Sequence, residues 1–229
     1  MKKQEFLDCQ VTTIRFDAGV LDPLRKLYRD VHAGTLEDGV RMGRKSHEDY
    51  NGFEGVSMRW HYANSAKAIG IFRDVVDNSD LRQVREIVGD KPHRMRVVQA
   101  SIIETVGSYP VGRWHSDFTD EDLGDDQSAT MLTPLFTFQR NFGGLELTAV
   151  KRDMPLDFDD FSHVYRYRDG EAVLFDGSGM VHRTQSYRAS AKARRILVCW
   201  QLADTCRRLQ PALRRIGDRN GDPMFLFPH

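Results

Sequence analysis

Three cysteines in 229 residues, Cys9, Cys199 and Cys206, are too few and too scattered for a disulfide framework, and no CxxC pair is available for a zinc ribbon. No apolar run approaches the roughly 18 residues that span a bilayer. The basic start Met1-Lys2-Lys3 is not followed by an apolar h-region, so the simplest expected location is the cytoplasm, without membrane association. An excess of either charge is missing too: 33 Lys plus Arg balance 33 Asp plus Glu. Dedicated nucleic-acid binders carry a net basic excess, so neutrality disfavours that class while leaving room for a local basic patch. Repeats, low-complexity tracts and Pro/Gly/Ser-rich linkers are also lacking, which argues for one domain over 1–229. A chain of this length buries a sizeable core without a staple.

What is present divides at about residue 95. The first part reads as mainly helical. Leu21-Asp22-Pro23, followed by Leu24, Leu27, Tyr28 and Val31, places an Asp N-cap and Pro at N1 ahead of helical apolar spacing. Residues 66–88 read as one or two helices with a break near Asp77-Asn78-Ser79-Asp80, where Ser79 or Asp80 caps the second. The stretch 41–62 reads as a long structured loop with two polar-aromatic groups, Tyr50-Asn51-Gly52-Phe53 and Arg59-Trp60-His61-Tyr62.

From Pro92 the pattern becomes β. Segments 96–106, 129–138, 144–150, 162–167, 172–175 and 196–201 are strand candidates, separated by turn chemistry at Gly143-Gly144, Asp169-Gly170 and Asp176-Gly177-Ser178-Gly179. Short strands at close spacing point to a sandwich, barrel or jelly roll. The expected class is α+β: a β core over 96–202, a helical layer over 1–95 and a C-terminal extension over 203–229.

One segment carries chemistry: Gly112-Arg113-Trp114-His115-Ser116-Asp117-Phe118. In a strand, His115 and Asp117 share a face, and His182 supplies a possible third ligand. Two imidazoles and one carboxylate on one side of a metal leave the opposite positions open, which suits non-haem Fe(II). A second His-x-Asp, His47-Glu48-Asp49, lies in a polar segment without a comparable strand context. After His182 comes Arg194-Arg195-Ile196-Leu197-Val198-Cys199-Trp200, in which Arg194 and Trp200 share strand parity. A guanidinium facing inward there needs an anion, and its fork matches a carboxylate.

The ordered set resembles the Fe(II)/2-oxoglutarate-dependent dioxygenases, most closely their prolyl-hydroxylase-like branch. The resemblance rests on Tyr109 and Gly112 ahead of His115-Ser116-Asp117, on Gly143-Gly144-Leu145-Glu146-Leu147, on the Gly170-to-Gly177 strand and turn before His182, and on a basic residue followed by Trp200. It covers roughly 96–202. It implies a double-stranded β-helix (jelly roll). It also implies that His115, Asp117 and His182 hold Fe(II), and that 2-oxoglutarate chelates the metal and pairs its far carboxylate with Arg194. Lys192 and Arg195 are the alternatives to Arg194. Thr133, or another polar residue of the 129–138 strand, and Tyr109 are the expected further co-substrate contacts, and O2 takes the last metal position. Asp117 favours hydroxylation over halogenation, since related halogenases lack that carboxylate.

The expected activity is oxidation of a C–H bond of a small molecule, such as an amino acid or a biosynthetic intermediate, with succinate and CO2 as co-products. A protein side chain or nucleobase as substrate, or a non-catalytic cupin-like binding protein, are the alternatives. Arg113, by strand parity, and Arg59, His61, Arg140 and Arg183, by composition, are candidate substrate contacts. The acidic run from Asp117 to Asp126 reads as a solvated loop able to act as a lid. The basic stretch 183–219 balances it. The apolar end Met224-Phe225-Leu226-Phe227 is expected to pack on the domain or on a second copy in a homodimer.

Overall fold

A computed structural model describes residues 3, 9–47, 56–88, 92–110, 112–118, 127–149, 163–221 and 223–226. The strands are β1 Val11–Arg15, β2 Met42–His47, β3 Ser57–Ala63, β4 Met95–Val106, β5 Ser128–Pro134, β6 Leu145–Ala149, β7 His163–Tyr165, β8 Glu171–Asp176, β9 Met180–Thr184 and β10 Arg194–Asp204. The α-helices are α1 Asp22–Ala33, α2 Ala66–Asp77, α3 Val84–Ile87 and α4 Gln210–Asn220. Seven strands form a large antiparallel sheet in the order β1-β8-β5-β10-β4-β3-β2, and three form a smaller one, β7-β6-β9. Two sheets with crossover connections make the jelly-roll core. Among the described residues no helix is long and apolar enough to cross a membrane.

The large sheet has two different faces because strand side chains alternate. On β10, Val198, Trp200 and Leu202 join a core built with Leu24, Leu27 and Tyr28 of α1 and Ile69 and Phe72 of α2. The Trp200 indole N–H donates to the Phe72 carbonyl at 3.1 Å, tying sheet to helix. The other parity, Leu197 and Cys199, faces the small sheet and packs with Leu132, Leu145, Leu147, Val173 and Phe175. Arg194 and Trp200 do share a face, but it is the face covered by the helices.

The first part of the chain contributes more strand than its composition suggests. β2 and β3 form the outer edge of the large sheet, where a loop was expected, and β1 closes the opposite edge against β8. Met58, Trp60 and Tyr62 alternate with Arg59, His61 and Ala63, so the Arg59-to-Tyr62 group follows strand periodicity. Tyr50-Asn51-Gly52-Phe53 lies outside the described residues, as does most of the acidic run, 119–126.

Helix starts differ in detail. Asp22 is the first residue of α1, with no side-chain cap ahead of it; Asp17 instead caps the preceding turn at the Gly19 N–H, 2.9 Å. Ser79 accepts from the Leu81 N–H and starts the turn leading into α3. At the C-terminus Phe225 donates its N–H to the Val98 carbonyl at 2.7 Å, and Met224 and Leu226 pack with Leu209 and Leu213, so the apolar end covers its own domain.

Candidate active site

The site forms where two irregular segments meet. His115 is held by a single antiparallel bridge to His182 of β9, with N–H to carbonyl bonds in both directions at 3.1 and 2.8 Å. A hydrogen-bonded bridge of this kind puts both side chains on one side, and the rings lie 4.3 Å apart between centroids. Gly112 donates its N–H to Thr184 in the same ladder, and a Cβ on Gly112 would come within 3.1 Å of the Thr184 nitrogen. Asp117 is then fixed by its neighbour: the Phe118 N–H bonds the Gly177 carbonyl, and the Phe118 ring lies where a Cβ on Gly177 would be, 2.4 Å away. The His115/Asp117 pair thus comes from one bridge and one aromatic anchor, not from a regular strand.

One ligand-type atom from each of His115, Asp117 and His182 lies within 4.8 Å of the others. His182 Nε2 and Asp117 Oδ2 are 3.8 Å apart, too long for a hydrogen bond and suited to two bonds of about 2.1 Å from one ion. His115 Nδ1–H donates to the Arg113 carbonyl at 2.9 Å; a carbonyl only accepts, so Nε2 keeps its lone pair. The Thr130 hydroxyl donates to Asp117 Oδ2 at 2.5 Å and orients the carboxylate. Burial holds His182 down to about 4 against the opposing pull of Asp117, so the imidazole is neutral at pH 7 and able to bind a metal. The donor set and its spacing fit a divalent transition metal with one side open.

This triad lines a cavity of about 590 Å³ that also takes in Tyr109, Thr130, Leu132 and Arg195. Arg195 is 2% exposed, and its Nε and Nη2 have no hydrogen-bond partner among the described residues. Its guanidinium carbon sits 5.2 Å over the Tyr167 ring. A buried guanidinium with unmet donors is complementary to an anion.

Comparison of the sequence with family models gives no match, and comparison with curated proteins gives none. Solved structures do match. A prolyl-4-hydroxylase from Pseudomonas putida aligns over 87% of this chain and 95% of its own, with 16% identity and a TM-score of 0.51. The non-heme alpha-ketoglutarate-dependent epimerase SnoN of nogalamycin biosynthesis aligns over 89% and 81%, with 11% identity and a TM-score of 0.62. EctD from S. alaskensis aligns over 89% and 76%, with 15% identity and a TM-score of 0.60. The chain shares the jelly-roll fold of these proteins.

Within that fold the expected site residues separate into two groups. Tyr109 and Arg113 line the cavity with the triad, and Tyr109 stacks on Tyr187 at 6.0 Å. Arg194, Arg59 and His61 lie on the other face of the large sheet, around Glu104. Arg194 bonds Glu104 Oε1, and Arg59 and His61 stand 3.8 and 3.7 Å from Oε2. His32 at 3.6 Å and the Tyr28 hydroxyl, donating at 3.1 Å, complete this cluster. His32, His61 and Glu104 also have metal-ligand spacing, but two guanidiniums beside the one carboxylate already supply its counter-charge.

Thr133 is turned away as well, and its hydroxyl donates to the Glu171 carbonyl at 2.8 Å. Arg140 is exposed in a turn. Arg183 pairs with Glu146 and lies 4.3 Å over the Trp114 ring. Thr130 was not singled out in the sequence; parity with Leu132 on β5 is the signal that finds it. Arg195 replaces Arg194 as the cavity-facing arginine because odd-numbered residues of β10 face the small sheet.

Proposed function

We propose that this chain is an Fe(II)/2-oxoglutarate-dependent oxygenase that hydroxylates, or otherwise oxidises, a C–H bond of a small molecule. The observation that carries the reading is the presence, in one cavity, of a two-histidine, one-carboxylate face and a buried arginine with unmet donors. His115, Asp117 and His182 would hold the metal, and Arg195 would take the far carboxylate of 2-oxoglutarate. When bound, the metal and co-substrate supply O2-dependent oxidation coupled to release of succinate and CO2.

The chain's own residues do the positioning. Thr130 fixes the Asp117 carboxylate, the Arg113 carbonyl fixes the His115 tautomer, and the Tyr167 ring orients Arg195. Leu132, Leu145 and Leu197 exclude water around the arginine, which strengthens its pairing with an anion. Fe(II)- and 2-oxoglutarate-dependent succinate formation tests the reading, with loss in His115→Ala expected. Absence of any 2-oxoglutarate turnover in the iron-loaded protein across a broad metabolite panel would refute it.

A further inference from the structure

The cavity holds more positive charge than the proposed chemistry uses. Among its described lining residues Asp117 is the single carboxylate, whereas Lys45, Arg113, Arg195 and Arg219 are basic. Asp117 serves the metal and Arg195 the co-substrate. Lys45, Arg113 and Arg219 remain, and no further described carboxylate lines the cavity.

Two of these are well defined. Arg113 is exposed to the cavity, has no ion pair among the described residues, and stands two positions before His115. Lys45 is held by a neutral acceptor: its ammonium donates to the Asn220 carbonyl at the end of α4, 2.9 Å, which fixes the side chain without cancelling its charge. Lys45 pairs with Trp60 on β3, and Trp60 with Ile103 on β4, so cation and indole form one row along the cavity face.

A second, independent feature lies on β4 and β10. Gln99 and Gln201 are direct cross-strand partners; both line the cavity, and they are 6% and 8% exposed. The side-chain oxygen of each has no hydrogen-bond partner among the described residues. Gln201 is also the register partner of Thr130, so the two amides stand beside the residue that orients Asp117. Buried amide oxygens facing a cavity call for a ligand that donates.

We infer that the substrate is a small organic anion, a carboxylate or phosphate ester that also bears a hydroxyl or amino group. Its acid group pairs with Arg113 and Lys45, and its O–H or N–H meets Gln99 and Gln201. The inference rests on the oxygenase reading above and deepens it. The shared cavity, at about 590 Å³, leaves room for a compact molecule beside the co-substrate.

The test uses the full chain loaded with Mn(II) and 2-oxoglutarate. Thermal stabilisation by 2-oxoglutarate beyond Mn(II) alone is read first and reports on the oxygenase reading. Tryptophan fluorescence is read next, since Trp60 and Trp114 both line the cavity. Three matched sets are titrated: hydroxy- and amino-carboxylic acids, the corresponding amides, and phosphate monoesters of the same skeletons. At least one acid set is expected to quench saturably, with the amides at least tenfold weaker. Arg113→Gln and Lys45→Gln should each raise Kd tenfold or more while keeping the 2-oxoglutarate stabilisation. Whichever acid set binds identifies the carboxylate or the phosphate. Amides that bind as well as acids, an unchanged Kd in both variants, binding by none of the sets, or saturation only by a peptide or oligonucleotide would each overturn the inference. Charge-dependent quenching without any 2-oxoglutarate stabilisation would instead overturn the oxygenase reading and keep the anion site.

Discussion

Arg194 and Arg195 are consecutive residues that serve opposite faces of β10: Arg194 pairs with the fully buried Glu104 beneath the helical layer, and Arg195 enters the cavity that holds His115, Asp117 and His182. One carries a structural charge pair and the other faces a ligand site. Their substitutions should therefore separate cleanly.

Arg195→Gln is expected to raise the KM for 2-oxoglutarate about 10- to 100-fold, the loss appropriate to a charge-assisted hydrogen-bond pair. Arg194→Gln should leave that KM within about threefold and lower the melting temperature instead. Steady-state kinetics and thermal denaturation on the two variants decide the matter; the reverse pattern would return the co-substrate role to Arg194.

Thr130→Val should weaken Mn(II) binding about 10- to 100-fold, because the hydroxyl that orients Asp117 is lost. Thr133→Val is the control, since its hydroxyl bonds the Glu171 carbonyl on the far face. Titration followed by electron paramagnetic resonance measures both, and equal affinities would show that Thr130 does not support the metal ligand.

Glu104 gives a pH-dependent signature. Burial alone would raise its pKa, but His61, Arg194 and Tyr28 outweigh that effect and hold it down to about 2. A depressed carboxylate contributes stability fully above its unfolded value of 4.5 and loses it as pH falls toward 2. Glu104→Gln should therefore cost on the order of 1–3 kcal/mol near pH 7, where it removes the carboxylate that Arg194 bonds. The gap between wild type and variant should narrow below pH 4.5. Urea unfolding across pH 3–8 measures it, and a gap independent of pH would sink the assignment.

Gly144→Ala should destabilise the small sheet. The added Cβ would lie 2.3 Å from the Tyr165 carbonyl oxygen, so β6 and β7 must separate. A loss of about 1–3 kcal/mol is expected, as for other overpacked positions. Retention of the wild-type melting temperature would show that β7 moves aside freely.

Much of the architecture was legible in local pattern. The β-branched run of β4, the Asp-Gly and Gly-Gly turns and the apolar alternation of β10 are period-two signals that burial reinforces. Gly143 and Gly144 mark places where the chain tolerates no Cβ, 2.1 Å from the Gln185 oxygen and 2.3 Å from the Tyr165 oxygen. β2 and β3 were harder to see. Met42–His47 is polar because it is an edge strand with one exposed side, and such a strand carries little apolar periodicity.

The sequence by itself determined the inventory: two histidines and an aspartate in order, two adjacent arginines on a strand, and parity linking Arg194 to Trp200. Parity says which residues share a face but is silent on which face is which. That was decided by α1 and α2, whose apolar stripes cover the Trp200 side of the sheet and leave the Arg195 side to the cavity. The same packing sent Arg59 and His61 to Glu104, turned Thr133 to the Glu171 carbonyl and brought Thr130, Gln99 and Gln201 inward. A strand's two faces are equivalent until another layer buries one of them, so only the tertiary structure could choose.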